Sequence, residues 1–173
     1  MKKYISFVLL TAMLTMTTAC GSRTSSQTSD AAISMQSLQE EMLSADTTLP
    51  DMTTVSSADE QAELNFTSLS DLSYDLVDSY FYAYATEGTA EEIAVIKLKD
   101  SADVPSMMQA MHGHIETRKG TFQEYAPEQV AMTQNAVVTR QGTYVALIIS
   151  SKCGMVQKAF EAGFSKGDGH NGL

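Results

Sequence analysis

The hydrophobic and polar positions of this chain follow two periods, one typical of helices and one typical of strands. Apolar residues at 31–45 recur at helical spacing with glutamine and glutamate between them, which predicts an amphipathic helix. Positions 104–122 and 154–164 show the same pattern. Asp103 is a suitable N-cap for the first of these two segments, and we expect that helix to end at Gly120.

The strand patterns fall into two pairs. Tyrosines alternate with smaller apolar residues at 79–85, and 91–99 is rich in β-branched residues, with a turn sequence between the two. The second pair, 135–140 and 143–151, is joined by a Gln-Gly turn that suits a tight hairpin. The sequence therefore predicts two β-hairpins, with a short helix at 127–134 before the second one.

These elements together predict an α+β fold. We expect a four-stranded antiparallel sheet of two hairpins, with amphipathic helices packed on one face. The segment 46–62 is polar and contains Pro50, so we expect it to be mostly loop. A single domain is predicted for residues 31–164, and the Gly-rich residues 165–173 are predicted to be a flexible tail.

The N-terminal segment has the layout of an export signal. Two lysines precede an apolar stretch that ends in small residues directly before Cys20, as in a signal peptide over residues 1–19. The stretch is shorter than the roughly 20 residues of a membrane-spanning helix. The small residues before Cys20 and the Gly-Ser after it resemble the lipobox of bacterial lipoproteins, which implies lipid on Cys20. Thr17 stands where lipoproteins usually carry leucine, so an ordinary secretory cleavage with a free Cys20 thiol remains the alternative.

The residues after the signal have the composition of a flexible linker. Residues 20–30 are mostly Ser, Thr and Gly and have little to bury. We interpret them as a tether that holds the domain on the outer face of the bacterial cytoplasmic membrane through lipid on Cys20. If Cys20 is acylated, Cys153 is the only other cysteine and has no partner within the chain.

The charge distribution restricts the classes of partner. The net charge is −10, and residues 24–96 contain 14 acidic residues with no lysine or arginine. Nucleic acid requires a basic surface, so we exclude it as a partner. The acidic half of the chain favours solubility, or alternatively a docking face for a basic partner or for divalent cations.

Several short motifs together resemble a known family. They are the lipobox, the strand 92–97 running into Lys99-Asp100, a helix that ends near Arg118, the motif Tyr125-Ala126-Pro127-Glu128, and the final-strand motif Gly142-Thr143-Tyr144-Val145-Ala146. Over about residues 68–164, plus the signal, the chain resembles the bacterial lipoproteins catalogued as domain of unknown function 4358, found in clostridia and their relatives. The resemblance implies an anchored extracytoplasmic domain, and it carries no known activity, substrate or catalytic residue.

One helical segment contains candidate metal ligands. Met107, Met111 and His114 lie at i, i+4 and i+7 and therefore share one side of a helix. Thioether and imidazole groups suit Cu(I). Because Met111 also belongs to the apolar stripe of this helix, the alternative is that the methionines belong to the core.

Three further features have both a structural and a functional interpretation. Cys153 follows Lys152 near a helix start, where a thiol pKa is lowered, although a buried and inert thiol is the simpler interpretation. The alternating tyrosines of 79–85 could form a recognition face or a half-buried sheet surface. We expect Arg118 and Tyr125 to hold the loop that follows their helix.

The chain lacks the motifs of common enzyme classes, including G-x-S-x-G, Walker A and H-E-x-x-H. We therefore expect a non-enzymatic extracytoplasmic domain without a cofactor, which binds an unidentified protein or envelope component. The alternative is a metal-binding lipoprotein that uses Met107, Met111 and His114.

Overall fold

The computed structural model describes residues 33–165. The predicted signal peptide, Cys20 and its tether, and nearly all of the predicted tail lie outside these residues. Within the described range, no helix combines the length and the apolar character needed to cross a membrane.

Residues 33–165 form five strands and five α-helices. The strands are β1 Met52–Ser56, β2 Val77–Ala85, β3 Glu92–Leu98, β4 Val137–Gln141 and β5 Tyr144–Ile149. The helices are α1 Met35–Ser44, α2 Ala62–Thr67, α3 Val104–Tyr125, α4 Val130–Gln134 and α5 Cys153–Ser165. Short 3-10 turns lie at Tyr74–Leu76, Ser101–Asp103 and Pro127–Gln129.

All five strands belong to one antiparallel sheet with the order β1-β2-β3-β5-β4. Both predicted hairpins are confirmed, β2 with β3 and β4 with β5. The positive φ of Gly142 places the tight turn of the second hairpin where it was predicted. The two hairpins join where β3 pairs with β5, with Val95 opposite Ala146.

The predicted count of four strands is wrong, because the sheet has five. The additional strand, β1, lies in the segment expected to be loop and pairs with β2, with Thr54 opposite Ala83. Its sequence, Met-Thr-Thr-Val-Ser, has only two apolar residues, and the strand lies at the edge of the sheet. The pairing with β2 stabilises this strand, and no local pattern marks it.

The helices pack on both faces of the sheet, and not on one face as predicted. One face, which we call the α3 face, is covered by α2, α3 and α4 and includes Tyr80 and Ile96. The opposite face, the α5 face, is covered by α1 and α5 and includes Phe81 and Val95. The reason is that β3 and β5 are apolar nearly throughout and buried on both sides, as in strands of a three-layer fold.

Helix α3 is the longest element, and it is longer than predicted. It passes Gly120, which is exposed, and ends at Tyr125. Ala126 then takes the extended φ of −150°, because a residue before proline disfavours helical backbone. The straight run of α3 across the sheet brings His114 and Arg118, four residues apart, onto the same side of the helix.

Candidate functional site

Glu92 is a buried carboxylate at the first residue of β3. Its side chain is only 2% exposed. The apolar residues that alternate with it, Ala94 and Ile96, contact the α3 face, so Glu92 points to the same side. A charge in such a position requires partners with good geometry.

Helix α3 supplies two basic partners for this carboxylate. His114 Nε2 lies 2.6 Å from Glu92 Oε2, and Arg118 Nε lies 2.5 Å from Glu92 Oε1. The arginine contact is an ion pair without the alignment of a hydrogen bond. Each carboxylate oxygen therefore faces one basic side chain, and the exposed fractions of His114 and Arg118 are only 10% and 27%.

Arg118 is held in place by two further contacts. Its Nη2 donates to the backbone oxygen of Thr89 at 3.2 Å, and its guanidinium carbon lies 4.7 Å from the centre of the Phe122 ring. The expectation that Arg118 and Tyr125 hold the loop after α3 is wrong, because Arg118 holds the β2–β3 turn and Tyr125 is 81% exposed.

Tyr82 completes the cluster around Glu92. Its ring meets the His114 ring edge-on, with the ring centres 6.4 Å apart. Burial raises the pKa of Tyr82 strongly, and the negative charge of Glu92 adds to this effect more than Arg118 opposes it. The phenol therefore stays protonated.

An open cavity of about 660 Å³ lies beside this cluster, between α3 and residues 67–72, and we call it the α3 cleft. His114 belongs to both the cluster and the wall of the cleft. Much of the remaining wall consists of hydroxyl side chains, which are Thr67, Ser68, Ser70, Ser106 and Thr117. The buried cluster thus fixes the orientation of one polar ring in an otherwise hydroxyl-rich cleft.

The candidate metal ligands do not come together at an accessible point. Met107 and Met111 are fully buried in the core of the α3 face, whereas the His114 ring bonds to Glu92. In residues 33–165, no three His, Cys, Asp or Glu side chains form a group that could hold a metal ion. The structure therefore places the two methionines in the core, as in the alternative interpretation of the helix.

Cys153 is the first residue of α5 and has a half-buried thiol. Its Sγ donates to the backbone oxygen of Ser150 at 3.0 Å. Burial raises the pKa of this thiol above its ordinary value, and this effect outweighs the hydrogen bonds that lower it. The helix start and Lys152 therefore do not make the thiol acidic, although a second cavity of about 700 Å³ borders it.

The tyrosines of β2 belong to the core. Tyr80 and Tyr82 are buried and Tyr84 is half-buried. The Tyr80 hydroxyl donates to the backbone oxygen of Ala62 at 2.7 Å. The half-buried sheet surface is thus the correct interpretation of this alternation, and β2 offers no exposed recognition face.

A second buried carboxylate lies on the other side of the molecule. Asp46 follows α1, and its residue is 2% exposed. It accepts hydrogen bonds from the backbone and hydroxyl of Thr48, at 2.8 and 2.6 Å, and from the hydroxyl of Ser150 at 2.5 Å. Burial opposes ionisation, but these hydrogen bonds outweigh it and lower the pKa of Asp46.

The sequence pattern marks His114 and Arg118 as candidates, but it does not mark Glu92, which joins them. Glu92 stands beside Glu91 in the sequence, and no motif distinguishes one carboxylate from the other. A detectable signal existed, since a carboxylate directly before the apolar run of β3 must be buried if that strand is central.

One comparison with known proteins gives a match, and that match spans the whole sheet. The chain matches no curated protein and no solved structure. A family model described as "Domain of unknown function (DUF4358)" matches residues 51–150, a range that contains all five strands, Glu92 and the α3 cleft. The chain therefore belongs to the DUF4358 family.

Proposed function

We propose that this protein is a lipid-anchored extracytoplasmic domain that binds a component of the cell envelope in the α3 cleft, without catalysing a reaction. The observation that carries the proposal is the His114 ring, which lines an open cleft while a buried Glu92 fixes its orientation. Buried charged clusters beside clefts are more frequent at functional sites than elsewhere.

The cluster is costly for a purely structural role. Taking a carboxylate and an arginine out of water costs several kcal/mol per ion, and apolar residues of similar volume often stabilise a core as well or better. The α3 face already buries more than a dozen apolar side chains without Glu92. A role in holding His114 at the cleft accounts for a charged cluster at this position.

The anchoring part of the proposal is supported by the N-terminal sequence. A basic start, an apolar stretch and small residues before Cys20 are the features of an exported lipoprotein. Two or three acyl chains bind a membrane firmly, whereas a single chain binds only marginally. The polar residues that follow Cys20 give the domain room to reach a component near the membrane surface.

Photocrosslinking in intact cells tests the binding part. A photoreactive amino acid replaces Gln109, which is exposed and lines the α3 cleft. The matched control replaces Glu161, which is exposed on α5. We expect a discrete adduct from position 109 and none from position 161. Equal adducts from both positions, or none from position 109, would contradict binding in the cleft.

Metabolic labelling with an alkyne fatty acid tests the anchoring part. We expect the wild-type chain to carry the label and to sediment with membranes, and the Cys20→Ser variant to lose the label and appear in the soluble fraction. An unlabelled wild-type chain would exclude acylation at Cys20 without affecting the crosslinking result.

The metal-binding alternative has less support. Its two thioether ligands are buried in the core of the α3 face, so a metal could reach them only if α3 moved away from the sheet. A Cu(I) titration monitored by the His114 ring signals in NMR distinguishes the two hypotheses. Specific broadening of His114 that is lost in Met107→Leu would favour metal binding.

A further inference from the structure

We infer that the ligand of the α3 cleft is a neutral polyhydroxylated molecule, namely the sugar units of a glycan. The inference rests on the proposed function, because it names the chemical class of the ligand for the same cleft. It follows from the hydrogen-bonding groups, the charge and the shape of the cleft wall.

The hydrogen-bonding groups of the wall match those of a sugar. Five hydroxyl side chains and the amide of Gln109 line the cleft. The hydroxyls of Thr67, Ser68 and Thr117 donate to backbone oxygens of this chain, so they offer acceptor oxygens to a ligand, whereas the Gln109 amide offers both a donor and an acceptor. Sugar hydroxyl groups can donate to such acceptor oxygens and can also accept from the Gln109 amide. A wall of this kind can satisfy a polyhydroxylated ligand in several directions without requiring the ligand to carry a charge.

The charge of the wall disfavours anionic ligands. Neither lysine nor arginine is among the residues that line the cleft, and Asp71 is the carboxylate among them. Phosphate and carboxylate ligands are normally held by arginine, lysine or several backbone amides. A single exposed carboxylate can accept hydrogen bonds from two neighbouring ligand hydroxyls, and it provides little for a multivalent cation.

His114 gives the cleft a polar group of fixed orientation. Its Nε2 is engaged by Glu92, which leaves Nδ1 for a further partner, as an acceptor in the neutral ring and as a donor in the imidazolium. Because Glu92 also contacts Arg118, the ring cannot rotate without breaking the cluster. Such a preorganised polar group selects among ligand hydroxyls more sharply than a mobile serine does.

The apolar part of the wall and the size of the cleft are also consistent with a sugar. Leu72 and Ala110, which are both half-buried, offer apolar contact for the C–H face of a pyranose ring. The volume of about 660 Å³ lies within the range of small-ligand sites. An extended peptide is less well matched, because peptides that add to a sheet bind at a strand edge, and this cleft lies between a helix and a loop.

Saturation-transfer difference NMR tests the ligand class, since it detects weak binding. The full chain in detergent micelles is mixed separately with N-acetylglucosamine tetramer, a mannose oligomer, a galactose oligomer, a lysine-rich peptide and inorganic phosphate. The variant Gln109→Leu removes a wall group, and Gln123→Leu, also exposed on α3, is the matched control. We expect saturation transfer to at least one oligosaccharide, reduced five-fold or more by Q109L and unchanged by Q123L.

The other outcomes separate the inference from the proposed function. Transfer only to the peptide or to phosphate would overturn the glycan class and leave a binding role for the cleft. The absence of transfer to all three oligosaccharides would also overturn the inference. In cells, an adduct from position 109 that glycosidases shorten and proteases do not shorten supports the glycan, and the reverse sensitivity contradicts it. Loss of the adduct itself is the result that overturns the proposed function.

Discussion

The molecule buries two carboxylates, and their surroundings differ. Asp46 is held by neutral donors that lie two residues away or at the end of β5. Glu92 is held by two basic side chains of α3 and lies beside an open cleft. The surroundings of Asp46 are explained by the fold, because this residue joins the turn after α1 to the turn before α5. The fold does not require two basic partners for the buried carboxylate of Glu92. We therefore relate the surroundings of Glu92 to the α3 cleft.

The largest effect is expected when Glu92 is removed. Glu92→Ala leaves Arg118 and His114 without their shared carboxylate, and breaking a buried ion pair in this way costs about 3–5 kcal/mol. Urea unfolding measures the change in the free energy of unfolding. The neighbouring Glu91→Ala is the control, since Glu91 is half-buried and bonds to the hydroxyl of Thr89, and we expect it to cost less than about 1 kcal/mol. An equal decrease in the free energy of unfolding for Glu92→Ala and Glu91→Ala would contradict a special contribution of the buried cluster.

A smaller effect is expected at Asp46. Asp46→Ala removes the acceptor for Thr48 and Ser150, and the hydrogen bonds to a buried carboxylate contribute about 2–3 kcal/mol together. The control is Asp51→Ala, because Asp51 is exposed and surface substitutions usually change stability by about 0.5 kcal/mol or less. A larger decrease in the free energy of unfolding for Asp46→Ala than for Glu92→Ala would contradict the predicted order.

The free energy of unfolding should depend on pH differently in the wild type and in Asp46→Asn. The pKa of folded Asp46 is lowered from 3.8, so the folded state binds this proton less readily than the unfolded state. The ionised group therefore stabilises the protein fully above about pH 5, and this contribution decreases as the pH falls below about 4 through the folded pKa. We expect the difference in unfolding free energy between wild type and Asp46→Asn to be constant from pH 7 to about 5 and to shrink below about 4. A difference that stays constant down to about pH 2.5 would contradict the lowered pKa.

The smallest effects are expected from two helical glycines, one on each side of the sheet. A Cβ at Gly163 of α5 would lie 2.5 Å from Cδ2 of Leu38, which is buried and cannot easily move aside. Gly163→Ala should therefore cost about 1–2 kcal/mol, because the overpacking exceeds the gain in helix propensity. A Cβ at Gly120 of α3 would meet nothing within 4 Å, and Gly120→Ala should stabilise by about 0.5–1 kcal/mol. Thermal unfolding measures both changes. Changes of the same sign would show that α1 and α5 pack less closely than described.

The elements with a strong local pattern were predictable from the sequence. Both hairpins, α1, α3 and α5 follow from periodicity and turn chemistry, because their apolar residues repeat over several turns or alternate over a whole strand. β1 was not predictable, since Met52–Ser56 becomes a strand through pairing with β2. The second helical layer was overlooked, although the nearly continuous apolar run of β5 indicated burial on both faces.

The candidate site was only half predictable. The spacing of His114 and Arg118 on one helix was visible, because it depends on helix geometry alone. The contacts of these two side chains with Glu92 depend on how α3 crosses β3. The sequence gives no local pattern for a contact between residues that lie more than 20 positions apart. For Met107 and Met111, helical spacing led to the hypothesis of a metal site. The packing of α3 on the sheet instead buries both side chains in the core.

Because the sheet is buried on both faces, the domain cannot be truncated to the sheet and the helices of one face. The family match covers residues 51–150 and leaves out both helices that cover the α5 face. A polypeptide trimmed to the match would present Phe81, Ile93, Val95, Ala146 and Ile148 to water, an apolar patch of the kind that drives aggregation. The smallest autonomous folding unit therefore includes α1 and α5, and an expression boundary drawn from the family match alone divides a hydrophobic core.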